Sequence, residues 1–148
     1  MTSIDFYFNA DDRLQVACRL AAKALAQQKR MLIYARDPAL ASQADRTLWT
    51  WPAIGFVPHC PAHDALAADT PILIGSGEDT PEGCELILNL DEQCPPHFER
   101  FARLLEVVGS AEEDRQAGRS RYRFYLERGY KIASHDLKGQ AQDQGRSP

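Results

Sequence analysis

No apolar run in the 148 residues approaches the roughly 20 that a membrane-spanning helix needs, so no span is expected. There is no CxxC pair either: Cys18, Cys60, Cys84 and Cys94 are scattered, as small buried hydrophobes are in a reducing compartment. The opening MTSIDFYFNADDR is acidic and strand-like, without the basic start and apolar core of a signal peptide. A cytoplasmic location is the expectation.

Glycine-rich phosphate loops are missing as well. The first apolar run leads into Asn9-Ala10-Asp11-Asp12-Arg13, with neither GxGxxG nor GxxxxGKS/T. Without glycines the backbone cannot wrap a phosphate, and two aspartates would repel one. Gly75-Ser76-Gly77 leads into Glu78-Asp79-Thr80-Pro81, which is turn chemistry in an acidic setting. No GxSxG elbow occurs and no cysteine has an identifiable base, so nucleophilic catalysis has no support. The acids Asp11-Asp12 and Glu112-Glu113-Asp114 begin predicted helices, where they offset the positive end of the dipole. No catalytic residue and no cofactor are expected.

His59-Cys60-Pro61-Ala62-His63 holds three potential metal ligands, with Cys84, Cys94 and His97 downstream. Structural zinc shows paired short spacings at both ends. Cys84 and Cys94 are too far apart for the second pair, so no metal site is expected. The formal net charge of −4 argues against a broad duplex-DNA surface. Any anionic partner has to be met locally.

What remains reads as one ordinary globular domain. Strands are predicted at Ile4 to Phe8, Met31 to Ala35, Pro71 to Ile74, Glu85 to Leu90, Glu106 to Val108 and Tyr130 to Ile132, from short β-type apolar runs. Leu14, Ala17, Cys18, Ala21 and Leu25 recur at helical spacing behind a cap at Asp11. Asp37-Pro38 opens a second helix running to about Trp49. Phe98, Phe101, Ala102 and Leu105 predict a third, and the last is expected from about Ala111 to Arg128. Gly129 suits its C-terminal cap. Strands alternating with helices indicate an α/β single-domain three-layer sandwich with a mostly parallel sheet, nucleotide-binding-like without a nucleotide site. It is expected to span residues 1–138, with 139–148 a flexible tail.

Two stretches carry unexplained composition. Leu48-Trp49-Thr50-Trp51-Pro52-Ala53-Ile54-Gly55-Phe56-Val57-Pro58-His59 gathers both tryptophans and Phe56, stiffened by Pro52 and Pro58, and Trp49 to Pro61 reads as an ordered loop. Such aromatics suit an interface, and they equally suit a core. The second is RSRYRFYLERGYK, residues 119–131, with five Lys or Arg and four Tyr or Phe against the single acid Glu127. On a helix Arg119 and Arg123 are one turn apart beside Tyr122 and Leu126, with Arg121, Tyr125 and Arg128 on the adjacent strip. A solvated helix face would be the bland outcome. Guanidinium groups beside rings also suit a short acidic peptide with a hydrophobic end and a free carboxylate.

Leu-Trp-x-x-Pro-x-x-x-Phe-Val-Pro-His at Leu48 to His59 and Arg-x-Arg-Tyr-Arg-x-Tyr at Arg119 to Tyr125, followed by Gly129-Tyr130, resemble the chi subunit family of bacterial DNA polymerase III. The resemblance covers about residues 3–135. It implies a non-catalytic accessory subunit with two partners in DNA replication. One is the psi subunit of the clamp loader, met by Trp49, Pro52, Phe56, Val57 and Pro58. The other is the acidic, phenylalanine-ended C-terminal tail of single-stranded DNA-binding protein, met by Arg119, Arg121, Tyr122, Arg123 and Tyr125. Many family members have lysine where this chain has Arg123. DNA would then be reached only indirectly. The alternative from the residues alone is a single-stranded nucleic-acid module, with Arg119, Arg121 and Arg123 on phosphates and Tyr122 and Tyr125 stacked on bases.

Overall fold

The computed structural model describes residues 2–50, 57–62, 64, 66–75 and 83–138. Strands β1 (Ser3–Ala10), β2 (Met31–Tyr34), β3 (His59–Pro61), β4 (Ile72–Gly75), β5 (Leu86–Asn89), β6 (Arg103–Gly109) and β7 (Ile132–Asp136) form one sheet. Its order is β3-β4-β2-β5-β6-β1-β7, and every described pairing is parallel. Helices α1 (Arg13–Ala26), α2 (Pro38–Thr50) and α3 (Glu112–Glu127) cover it. Parallel strands need such crossovers, and their central members are then buried on both faces.

The burial follows the pleat, with successive side chains on opposite faces. Met31, Ile33, Ile72, Ile74, Leu86, Leu88, Leu105 and Val107 face α1 and α2. Leu32, Tyr34, Leu73, Ile87, Leu104 and Val108 face the other way, where Tyr125 of α3 joins them. The three layers are therefore α1 with α2, the sheet, and α3. Residues 139–148, expected as a tail, lie outside the described residues.

Four local expectations are corrected. Asp12, rather than Asp11, caps α1, accepting bonds from the Leu14 and Gln15 amides. The helix expected around Phe98 to Leu105 is a single 3₁₀ turn, Phe98–Arg100, behind His97 in the left-handed region at φ 61°. Strand β6 follows at once, because Leu104, Leu105, Val107 and Val108 serve both sheet faces, and the helical spacing of Phe98, Phe101, Ala102 and Leu105 crosses the boundary between turn and strand. β3 falls within the stretch expected as loop, and as an edge strand it tolerates Pro61, which brings no N–H. β7 begins at Ile132, where the expected strand ended.

α3 closes as its sequence predicts. Gly129 takes φ 84°, its amide donates to the Leu126 carbonyl, and the Tyr130 amide donates to that of Tyr125, which is a Schellman closure. Near its middle the helix comes close to the sheet. A Cβ on Gly118 would lie 2.8 Å from both methyl carbons of Val108. Gly118→Ala gains about 1 kcal/mol of helix propensity, yet the stiff β-branched Val108 cannot yield as a flexible chain end would. A net loss of about 1–2 kcal/mol from overpacking is the expected result in urea denaturation. A net gain would mean that the helix has room to lift.

At the other margin, edge strand β7 is tied to β1 through Asp5. The Arg103 guanidinium donates to Asp5 Oδ2 from Nε at 3.0 Å and from Nη2 at 2.5 Å. His135 Nε2 lies 3.0 Å from Oδ1, and its ring stacks on Tyr7 at 4.6 Å. Burial pushes the Asp5 carboxyl up, but the bonds and charges of His135 and Arg103 outweigh it and hold the group below its ordinary value. A depressed carboxylate contributes stability that is fully present above the ordinary carboxylate range and lost as pH falls through the folded value. The stability difference between wild type and Asp5→Asn should therefore shrink as pH is lowered from about 6 to about 2. A difference that stays constant would mean the cluster contributes no such linkage.

Candidate functional site

The C-terminal ends of parallel strands are where open α/β sheets bind ligands. Here a cleft of about 330 Å³ lies between the starts of α1 and α3, lined by Asp11, Asp12, Arg13, Gly109 and Asp114 among others. Three carboxylates line it, and Arg13 is already engaged, donating to the Leu90 carbonyl and lying 4.0 Å from Asp114. Carboxylates at the two helix starts dominate the lining, which is poorly suited to a phosphate.

Three of the four thiols are no more reactive. Burial pushes Cys18 up to about 12 and raises Cys84 and Cys94, which leaves them protonated and inert at neutral pH. Among the described residues no group of three His, Cys, Asp or Glu could hold a metal. His59 instead donates from Nδ1 to the Val57 carbonyl at 2.7 Å, with Nε2 3.1 Å from Asp45. His63 lies outside the described residues. No helix among them is long and apolar enough to cross a membrane.

Chemistry that could meet a partner is concentrated on α3. Its inner face carries Gly118, Arg121 and Tyr125, all buried, at spacings that return to one side of a helix. Arg121 is 5% exposed and Tyr125 not at all. Both reach Glu106, itself 0% exposed: Arg121 Nε donates to Oε1 at 2.9 Å and the Tyr125 hydroxyl to Oε2 at 2.6 Å. Asn89 Nδ2, from β5, lies 3.0 and 3.1 Å from the two oxygens. Arg121 Nη1 also donates to the Glu92 carbonyl at 2.8 Å. Burial holds the Glu106 carboxyl above its ordinary value, and the Arg121 charge with the three donors offsets only part of that rise.

Two expected tail contacts are thereby corrected. Arg121 and Tyr125 are not surface groups, because the sheet supplies a buried carboxylate that neutralises one and bonds the other. Glu106 carries the only signal that could have revealed this, a lone acid within the apolar run Leu104-Leu105-Glu106-Val107-Val108. An acid there needs a partner from whatever covers the sheet.

Arg119 and Arg123, two positions either side of Arg121, are exposed. Tyr122 is half-buried, its ring edge-on to Phe6 of β1 at 5.2 Å. Leu126 is 56% exposed. Arg119 has a loose pairing with Glu112 at 3.9 Å, and Arg128 lies over the Phe124 ring at 4.0 Å. Arg123 has no ion pair among the described residues. The outer face is thus cationic and partly apolar, with rings at its margin.

The second stretch is only partly described. Trp49 stands at the end of α2, 59% exposed, its ring edge-on to His59 at 4.9 Å. Val57 is buried, so as an expected psi contact it is corrected to a core residue. Pro58 is half-buried. Pro52 and Phe56 lie outside the described residues, as does Trp51.

Comparison with known proteins joins these surfaces to a family. Residues 1–133 match the family described as "DNA polymerase III chi subunit, HolC". DNA polymerase III subunit chi of Pseudomonas aeruginosa is 38% identical over 141 residues, covering 93% of this chain and 98% of that protein. The Haemophilus influenzae subunit chi is 27% identical over 124 residues, 83% of this chain and 86% of that one. The Escherichia coli K12 subunit chi is 26% identical over 119 residues, 80% and 81%. Among solved structures, the C-terminal domain of Saccharomyces cerevisiae Dbp5, bound to Gle1 and IP6, superposes with a TM-score of 0.57. At 9% identity, over 97% of this chain and 96% of that one, it shows a shared fold alone. With the family matching nearly the whole of its described sheet and all three helices, this chain belongs to the DNA polymerase III chi subunit family.

Proposed function

We propose that this chain is a non-catalytic accessory subunit of the DNA polymerase III holoenzyme, acting in the cytoplasm in DNA replication. It links the clamp loader, through psi, to the acidic, phenylalanine-ended tail of single-stranded DNA-binding protein. The observation that carries this reading is the outer face of α3, where exposed Arg119 and Arg123 lie beside Tyr122 and Leu126 on a chain of net charge −4. Guanidinium groups bind carboxylates by charge-assisted bonds, and the partly exposed ring and leucine offer apolar area to a terminal aromatic. Fluorescence anisotropy with a labelled acidic peptide ending in phenylalanine tests it directly.

Exposed Trp49 supports the psi contact, since a large aromatic left in water at a helix end is an interface signal. Trp49→Ala should abolish co-purification with psi while changing stability by only about 0.5 kcal/mol, as surface substitutions do. Undiminished co-purification would move the psi contact elsewhere.

The reading as a single-stranded nucleic-acid module loses support from the same geometry. It needs Arg121 on a phosphate and Tyr125 on a base, and both are committed to Glu106. The two arginines of that reading left exposed, Arg119 and Arg123, make a poor electrostatic track for a nucleic-acid backbone on an acidic chain.

A further inference from the structure

We infer that Glu106 is the positioning residue for the peptide surface: one buried carboxylate on β6 sets the rotation of α3 about its axis, and so decides which side chains α3 shows. The inference rests on the peptide reading of that outer face. A helix that packs on a sheet by an apolar stripe can turn slightly with little loss, because apolar contact is non-directional. The seam of α3 is of another kind. It contains a glycine, an arginine and a tyrosine, and its side-chain bonds to the strands of the sheet end on the two oxygens of Glu106.

Arg121 Nε bonds Oε1 and the Tyr125 hydroxyl bonds Oε2, so successive turns of the helix are fixed to one group. Glu106 is itself held from the side by Asn89. Asn89 also donates to the Gln93 carbonyl at 3.0 Å, while Arg121 reaches the Glu92 carbonyl. The carboxylate is therefore anchored to β5 and the segment after it as well as to β6. At 3.6 residues per turn each residue advances about 100°, so Arg119 and Arg123 each stand about 160° from Arg121, on the far side of the helix. Holding Arg121 inward forces that pair outward. A slip of one residue would carry Tyr122 off Phe6 and turn one arginine toward the sheet margin.

The test replaces the pair by apolar side chains of similar length, Glu106→Met with Arg121→Met, an exchange that buried ion pairs commonly tolerate without loss of folding. Two readouts are taken on the full chain: the NMR contact between the Tyr122 and Phe6 rings, and anisotropy with the labelled acidic peptide ending in phenylalanine. The expected result is a cooperatively folded variant that loses the ring contact and binds the peptide about tenfold more weakly. Tyr125→Phe, which removes only one hydroxyl, should fold in any case and weaken binding by roughly two- to fivefold. Wild-type ring contact and affinity in both variants would overturn the positioning role and leave the peptide reading standing. A wild-type chain that ignores the peptide would overturn the peptide reading, and the ring contact would still decide whether Glu106 sets the rotation.

Discussion

Arg121→Ala should lower the free energy of unfolding by about 3–5 kcal/mol, because it leaves Glu106 as an uncompensated buried charge. For a domain whose whole stability is about 5–15 kcal/mol, that is the difference between folded and marginal. The size follows from burial: Glu106 is wholly enclosed, so water cannot replace the guanidinium, and the Glu92 carbonyl loses its donor as well. Exposed Arg123 on the same helix provides the internal contrast, since its removal should change stability by only about 0.5 kcal/mol. Urea denaturation of both variants at neutral pH makes the comparison. A loss below about 1 kcal/mol for Arg121→Ala would mean that the pair is effectively solvated.

Binding should reverse that order. Arg123→Ala should weaken the acidic, phenylalanine-ended peptide by roughly ten- to a hundredfold, the equivalent of one charge-assisted bond of about 1.5–3 kcal/mol. Arg123 has no ion pair to break among the described residues, so none of its interaction with the peptide offsets a lost internal contact. Arg119 gives up only its long pairing with Glu112, which at such exposure contributes little. Arg123→Lys keeps the charge and loses the planar fork, and should fall between wild type and alanine. Equal affinity for all three proteins would remove Arg123 from the site.

The helices and strands were legible wherever period and punctuation agreed. The stripe of α1, the Asp37-Pro38 start of α2 and the Gly129 closure of α3 each have a local cause. Legibility failed where the cause is non-local. Phe98 to Leu105 reads as helix because Phe98, Phe101, Ala102 and Leu105 fall at helical spacing, although Phe98 belongs to the 3₁₀ turn and Leu105 to β6. Edge strand β3 has three residues, with pairing that comes entirely from β4. On α3 the composition over-assigned exposed residues. Arg121 and Tyr125 look like surface groups until Glu106, 15 and 19 positions away, is brought beneath them. The family resemblance reached the chain as a whole from two motifs. Which side chain within a motif faces water is a property of the packed sheet.

The most direct measurement of the central claim compares two peptides on the wild-type chain by anisotropy. They are identical and acidic, end in phenylalanine, and differ only in a free or an amidated C-terminus. If the outer face of α3 holds the terminal carboxylate between Arg119 and Arg123, amidation should cost roughly ten- to a hundredfold in affinity. Raised salt should weaken the free-acid peptide without eliminating it, because the terminal ring still buries apolar area beside Tyr122. Equal binding of the two peptides, unchanged by Arg123→Ala, would contradict the account and leave α3 a solvated surface.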